Sequence, residues 1–242
     1  VCDLGAFIAA TFKRGIPFVN VPTSLLAMVD ASVGGKNGIN FAGLKNQLGT
    51  FTQPNFVLID PDFLATLPQE EWESGHAEML KHALLSGTRW SELLVLETAT
   101  LTLHDIEQSV AFKAEIVKED FKENGKRKIL NLGHTTGHAW ESYAAVSGNP
   151  CTHGAAVIQG LHVALMLSGL QDEQSALAQR YPWQGVAEEA LQPLWERQLQ
   201  DKKNTHGEVR YVLLEELGKP IWDVQITRVQ WTQAVSALNS AS

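Results

Sequence analysis

The sequence predicts an α/β segment over residues 1–68, followed by a mainly α-helical domain over residues 69–242. Two observations carry that division. Strand, helix and strand signals alternate through the first 66 residues, which is the pattern of α/β structure. After Leu67-Pro68, apolar residues recur at spacings of three and four through most of the chain, as helices that bury one face require. The strand signals are too few for a complete nucleotide-binding sheet.

Composition narrows the possibilities. The 242 residues are 44% hydrophobic and 19% charged, ordinary for a soluble globular protein of one large or two small domains. A net charge of −8 offers no basic field, so nucleic acid is not expected as a partner. No run of 18 apolar residues is present, so no membrane span is expected. Cys2 and Cys151 are too few for a disulfide framework and form no CxxC pair, so a reducing cytoplasm is the expected location. No targeting segment is read at the N-terminus. Val1-Cys2-Asp3-Leu4-Gly5 lacks an initiator Met and reads as a helix under way, so a fragment or a processed piece is expected.

In chain order, residues 4–13 read as a helix with an apolar face, ended by Gly15 and Pro17. Phe18-Val19-Asn20-Val21 reads as a short buried strand. Pro22-Thr23-Ser24 suits a first helical turn, and residues 25–33 continue that helix. Gly34-Gly35-Lys36-Asn37-Gly38 is either a glycine-rich turn or a backbone that approaches a phosphate or cofactor. It does not match the phosphate-loop pattern, because the spacing differs and no hydroxyl follows the lysine. Lys45-Asn46 reads as a polar break, and residues 56–60 as a strand, with Asp60-Pro61-Asp62 capping the next element.

Residues 70–86 form the first helix of the second part, with Trp72, His76, Met79, Leu80, Ala83 and Leu84 as its buried stripe. Glu78 and Lys81, three apart, read in isolation as a pair on a solvated face. Residues 105–121 form another helix. Lys113 falls inside its apolar stripe of Ile106, Val110, Val117 and Phe121. It either snorkels to the edge or meets an anion, because an unpaired buried charge is costly. The polar loop 123–128 carries Arg127, which can grip a carboxylate or phosphate with two hydrogen bonds.

The stretch LNLGHTTGHAWESYAAVSGNPCTH, residues 130–153, holds three of the chain's 8 histidines among glycines. On a helix, His134 and His138 would face one metal ion, although Gly133 and Gly137 also allow a turn there. A catalytic metal site needs three protein ligands and an open position. Glu78, His134, His138 and His153 are the candidates. Lys36, Lys81, Lys113, Arg127, Lys202 and Lys203 are cations in an acidic chain; if they converge, the substrate is an anion. His153-Gly154 opens a further apolar helix over residues 155–170, in which His162 reads as structural. The chain is then helical with breaks at Pro182 and Pro193, extended over residues 209–214, and ends in a short helix.

Seven segments carry a resemblance: VPTSLLAMVDASVGGKNGIN (21–40), LKNQLGTF (44–51), LATLP (64–68), GHAEMLKHALL (75–85), LNLGHTTGHAWE (130–141), HGAAV (153–157), and DKK with VRYVLL (201–203 and 209–214). In this order they resemble the 3-dehydroquinate synthase family, enzymes of the shikimate pathway. The resemblance implies the C-terminal part of an NAD-binding α/β domain followed by a helical metal- and substrate-binding domain, with the first part of the family's N-terminal domain absent. It implies NAD and a divalent metal as cofactors, zinc with cobalt as an alternative, a sugar-phosphate substrate and a homodimer.

Carried over motif by motif, the metal ligands are Glu78, His134 and His153. His138 acts with Glu123 in proton handling, which sets aside the reading of His138 as a ligand. Substrate contacts fall on Arg14 (across the dimer interface), Asp30, Lys36, Asn46, Lys81, Lys113, Arg127 and Asn131, with Lys202 or Lys203. NAD contacts fall on Asp3, Thr23, Ser24, Lys45, Phe63, Leu64, Ala65 and Thr66. The chain departs from the family's usual pattern with Ser24 in place of Thr, Ala155 in place of Glu, and Phe121 within Asp120-Phe121-Lys122-Glu123; none of these removes a carried-over catalytic residue. The implied reaction is transient oxidation by NAD, elimination of phosphate, reduction and aldol closure. Other sugar-phosphate cyclases and polyol dehydrogenases of the superfamily share the fold, and Lys113 with Asn131 favours the dehydroquinate synthases among the cyclases. A non-catalytic zinc-binding fragment is the alternative from another class.

Overall fold

The computed structural model describes residues 1–41, 44–200 and 208–241, with Leu44 and Lys45 described by their backbone alone. The chain forms two compact units, Val1–Met79 with Glu97–Arg127, and Leu80–Leu96 with Lys128–Ser242.

In the first unit, α1 (Cys2–Thr11) leads to β1 (Val19–Asn20). A π-helical turn comes next, at Ala27–Ala31. An ordinary helix is predicted there, and the extra residue per turn leaves no mark on so short a side-chain pattern. Beyond it lie β2 (Lys36–Phe41) and β3 (Leu44–Phe51), an antiparallel hairpin. The hairpin corrects the reading of Lys45-Asn46 as a polar break, since both lie in β3. Its Gly, Asn and Lys residues show no alternation because little of it is buried; the ladder from Lys36↔Phe51 to Phe41↔Leu44 holds it instead. β4 (Phe56–Val57) pairs parallel with β1 and is shorter than the predicted strand. Asp60 caps the 3-10 turn Pro61–Thr66, accepting from the Asp62 N–H at 3.0 Å.

The division between the units falls inside α2 (Gln69–Ser86). Every residue of α2 from Ser74 to Leu85 is buried. Glu78 and Lys81 are 0% and 1% exposed, which overturns the solvated-face reading: residues 74–85 are enclosed all round, and these two charges lie inside. After α3 (Trp90–Val95), which belongs to the second unit, α4 (Leu103–Glu119) returns to the first. A reciprocal cap starts α4. The Thr102 N–H donates to Asp105 Oδ2 at 2.7 Å, and the Asp105 N–H donates back to Thr102 Oγ1 at 3.4 Å. Ile106, Ile116 and Val117 of α4 are buried, and the helix packs on the π-helical turn.

The second unit contains α5 (His134–Val146), α6 (His153–Leu167), α7 (Gln171–Arg180), α8 (Glu188–Leu199), the hairpin β5 (Val209–Glu216) and β6 (Lys219–Ile226), and α9 (Arg228–Ala241). Its centre is α6, buried over Ala156–Leu165 and packed by α5, α7, α9 and β5. Gly160 sets how closely α5 and α6 meet: a Cβ there would lie 1.8 Å from the Gly133 carbonyl oxygen, so only glycine fits. The sequence predicts a short terminal helix, but α9 has 14 residues and comes after the unexpected β6. Lys219-Pro220 and Asp223 hide β6 from a propensity reading, and its pairing with buried β5 supplies the order. Among the described residues, no helix is long and apolar enough to cross a membrane.

Candidate functional site

The first unit contains a cavity of about 390 Å³ lined by Asp3, Asp30, Lys36, Asn46, Lys113 and Arg127, together with backbone and side chains of β2 and β3. Lys113 reaches it from α4. Its ammonium donates to Asp30 Oδ1 at 2.7 Å and to the Asp30 carbonyl at 2.5 Å. The stripe lysine therefore meets an anion rather than snorkelling, as a buried charge requires. Lys36, at the start of β2, donates to the Glu123 carboxylate. Glu123 is held at φ 61°, a sparsely populated region for a residue with a side chain.

Arg127 is 2% exposed. Its Nη1 donates to the Phe121 carbonyl at 2.5 Å. Gly34 makes room for it, since a Cβ at that position, where φ is +114°, would sit 2.6 Å from Arg127 Nη2. Burial pulls the Arg127 pKa below its ordinary value, against the opposing pull of Glu123, Asp30 and Asp120. The loop that carries Arg127 is tied by Asp120, whose Oδ2 accepts from the Gly125 N–H at 2.8 Å and the Arg127 N–H at 3.0 Å, while Oδ1 accepts from Asn124 at 3.0 Å. Desolvation works against the Asp120 carboxylate, but these backbone donors outweigh it and hold its pKa below the ordinary value. Burial pushes the Asp3 carboxyl upward, and the Asp30 charge adds to that push.

The second unit brings His134, His138 and His153 into one cluster. The ring centroids are 5.2 Å apart for His134 and His138, 5.4 Å for His134 and His153, and 6.1 Å for His138 and His153. The segment is helical despite its glycines. Gly133 takes φ 76° as the N-cap of α5, and Gly137 lies against α6. His134 opens α5, and His153 opens α6 behind the Thr152 cap, which accepts from the Ala155 N–H at 3.2 Å. His134 Nδ1 lies 3.1 Å from the Leu132 carbonyl, and His153 Nδ1 lies 3.4 Å from Glu141 Oε2. Those oxygens accept, which places an N–H on Nδ1 of each ring; in the neutral imidazole the lone pair then sits on Nε2. His162 packs apart from this cluster. Its Nε2–H donates to the Tyr181 carbonyl at 2.8 Å and its Nδ1 faces Gln174 at 3.2 Å, consistent with the structural role read from the sequence.

The other expected site residues are spread over both units. Arg14 is exposed at φ 67° in the turn after α1. Thr23 and Ser24 precede the π-helical turn, where Ser24 Oγ accepts from the Ala27 N–H at 3.4 Å. Phe63, Leu64, Ala65 and Thr66 form the 3-10 turn, with only Leu64 buried. Lys81 is buried in α2, and Asn131 Nδ2 donates to the Lys128 carbonyl at 3.1 Å. The Lys45 side chain, Lys202 and Lys203 lie outside the described residues. Sequence reasoning missed Asp120 and Glu141. Asp120 could have been found as an acidic residue before Asn124-Gly125, the arrangement of a loop tied to a carboxylate. Glu141 could have been found one helical turn beyond His138.

The fold is dehydroquinate synthase-like. It matches 2-deoxy-scyllo-inosose synthase, solved with carbaglucose-6-phosphate, NAD+ and Co2+, at a TM-score of 0.82 and 22% identity, covering 97% of this chain and 70% of that one. It matches 2-epi-5-epi-valiolone synthase from Streptomyces hygroscopicus, solved with NAD+ and Zn2+, at 0.78 and 24%, covering 99% and 71%. Sequence comparison then gives the family. Models described as 3-dehydroquinate synthase N-terminal and C-terminal match residues 1–74 and 75–207. The 3-dehydroquinate synthase of Leptospira interrogans is 42% identical over 241 residues, 93% of this chain and 66% of that protein. That of Parabacteroides distasonis is 42% identical over 242 residues, 94% and 67%. This chain belongs to the 3-dehydroquinate synthase family. It spans about two-thirds of the length of the curated relatives it matches.

Proposed function

We propose that this chain carries the metal- and substrate-binding machinery of a 3-dehydroquinate synthase. Such a lyase converts 3-deoxy-D-arabino-heptulosonate 7-phosphate to 3-dehydroquinate and phosphate, on the route to aromatic amino acids. The observation that carries the reading is the first-unit cavity. In a chain of net charge −8, Lys36, Lys113 and Arg127 outnumber Asp3 and Asp30 in lining one space, which favours an anion with several oxygens.

Glu78, His134 and His153 are the proposed ligands of a divalent ion. The donors suit one: two imidazoles whose Nδ1 atoms are engaged and whose Nε2 atoms keep their lone pairs, and a carboxylate with no exposure, which an adjacent dication would compensate. Zinc is the first choice and cobalt the alternative, following the two solved cyclases. A divalent ion there would supply Lewis acidity at a substrate hydroxyl, and NAD would supply reversible hydride chemistry without net consumption. The chain's own groups do the rest. Lys36, Lys81, Lys113, Arg127, Asn46, Asn131 and Asp30 bind and orient the phosphate and carboxylate, with Lys202 or Lys203 and with Arg14 reaching across a homodimer interface. Glu123 and His138 move protons. Asp3, Thr23, Ser24, Lys45 and residues 63–66 serve the NAD side. The cytoplasm is the proposed location.

The test is direct. The chain, supplied with the heptulosonate phosphate, NAD and Zn2+, should release inorganic phosphate without net NADH. Steady accumulation of NADH would mark a polyol dehydrogenase, and bound zinc without phosphate release a non-catalytic module. Glu78→Gln and His134→Ala should each lower bound zinc and activity together; full activity at unchanged zinc content would remove them from the ligand set.

A further inference from the structure

We propose that Glu141 is a positioning residue for His153: its carboxylate accepts the Nδ1–H and so turns Nε2 outward for a metal ion. The inference rests on the proposed metal site and deepens it. Glu141 Oε2 lies 3.4 Å from His153 Nδ1, with the two side chains 18% and 28% exposed. The two proposed imidazole ligands differ in what holds them. His134 follows the turn at Gly133 and finds a backbone acceptor, the Leu132 carbonyl at 3.1 Å. His153 is the first residue of α6, and the first turn of a helix presents N–H donors with no free carbonyl nearby. An acceptor for its Nδ1–H must therefore come from another element, and α5 supplies Glu141.

Thr152 already caps α6, its Oγ1 accepting from the Ala155 N–H at 3.2 Å, and Glu141 Oε2 stands within reach of the His153 ring. A carboxylate on the far nitrogen of a ligating histidine fixes the tautomer, steers the ring and raises the basicity of the ligating nitrogen. The close crossing of α5 and α6 at Gly160 keeps donor and acceptor in register.

The experiment uses the 242-residue chain and Zn2+ alone, with affinity read by competition against a chromophoric chelator. Glu141→Ala should weaken zinc by roughly 10- to 100-fold, with Glu141→Gln between it and the parent because its amide oxygen still accepts. Glu141→Gln, matched in size, carries the test if the alanine variant does not fold. A second readout is the 15N spectrum of labelled histidine in the metal-free protein, where His153 should shift from the Nδ1–H towards the Nε2–H tautomer in Glu141→Ala. A merely structural role would leave both readouts where they were. His153→Ala separates the two claims. If it binds zinc as the parent does, the metal reading fails. If it loses zinc while both Glu141 variants keep the parental affinity and tautomer, only the positioning role is overturned.

Discussion

In the first unit, two of the cavity cations pair with carboxylates that an anionic ligand could replace. Lys113 lies 2.7 Å from the Asp30 carboxylate, and Lys36 pairs with Glu123. In the second unit, the histidines are fixed by the scaffold. Two of them open helices, one donates to a backbone carbonyl, and the helices that carry them touch at a glycine. The difference teaches where each region should yield. Exchangeable ion pairs suit groups that must let go of one anion to take another. Backbone-defined positions suit ligands whose spacing must not change.

The largest expected effect breaks the rigid half. Gly160→Ala would place a methyl 1.8 Å from the Gly133 oxygen. Neither backbone can move without displacing His134 and His153. We expect a loss of about 3 kcal/mol or more in urea unfolding, at the upper end of overpacking costs, together with loss of zinc binding. A variant of parental stability would show that α5 and α6 slide freely, and the contrast between the units would fall.

The second prediction probes the same helix by pH. Burial holds the His162 pKa down to about 4, against the raising effect of its hydrogen bond to the Tyr181 carbonyl. In the unfolded chain this ring titrates near its ordinary value of 6.5. Between those values the unfolded state binds the extra proton, so stability is fully present above about pH 6.5 and falls as pH drops towards 4. The loss over that window should be roughly 3 kcal/mol. His162→Gln should flatten the unfolding free energy over this range; an unchanged slope would assign the acid sensitivity elsewhere.

What was legible in the sequence depends on the force each residue answers to. The stripes of α2 and α4 were legible because burial repeats at helical spacing, and the histidines because three fall close together in sequence. Lys113 was legible as a problem, since a lysine in an apolar stripe needs an anion, but its partner Asp30 lies 83 positions away. The hairpin β2–β3 was not, because its residues answer to a ladder rather than to a buried face. Glu78 and Lys81 misread as surface charges because spacing reports a face and not what covers it. The glycines were ambiguous for a similar reason: Gly133 marks a turn and Gly137 a close approach to α6, and both look like breaks in one dimension. The motif resemblance supplied the proposed division of labour among the three histidines, which spacing alone left open.

Asp30→Ala tests the exchangeable half. It removes a carboxylate from beside a buried ammonium, which typically costs 3–5 kcal/mol in a closed site. The Asp30 side chain is 27% exposed, so about 2 kcal/mol is the expectation. The double variant Asp30→Ala with Lys113→Met should recover most of that loss, since neither member of the pair is then left buried without the other. Additive losses would mean that Lys113 is balanced chiefly by other groups.

The smallest effect on folding, and the sharpest test of the contrast, is Lys36→Ala. Its side chain is 44% exposed and that of Glu123 is 19% exposed, so solvent screens the pair, and stability should change by less than about 0.5 kcal/mol. Binding of the heptulosonate phosphate should nonetheless weaken by roughly tenfold, the worth of one lost charge-assisted hydrogen bond. The two numbers should separate because the pair is already formed without ligand: an incoming anion would take Lys36 from Glu123, and folding gains little from the bond it would give up. Calorimetry of the parent and the variant, beside their unfolding curves, measures both quantities. A variant that lost stability and affinity in equal measure would place Lys36 with the fixed groups and leave the cavity without an exchangeable cation at its exposed edge.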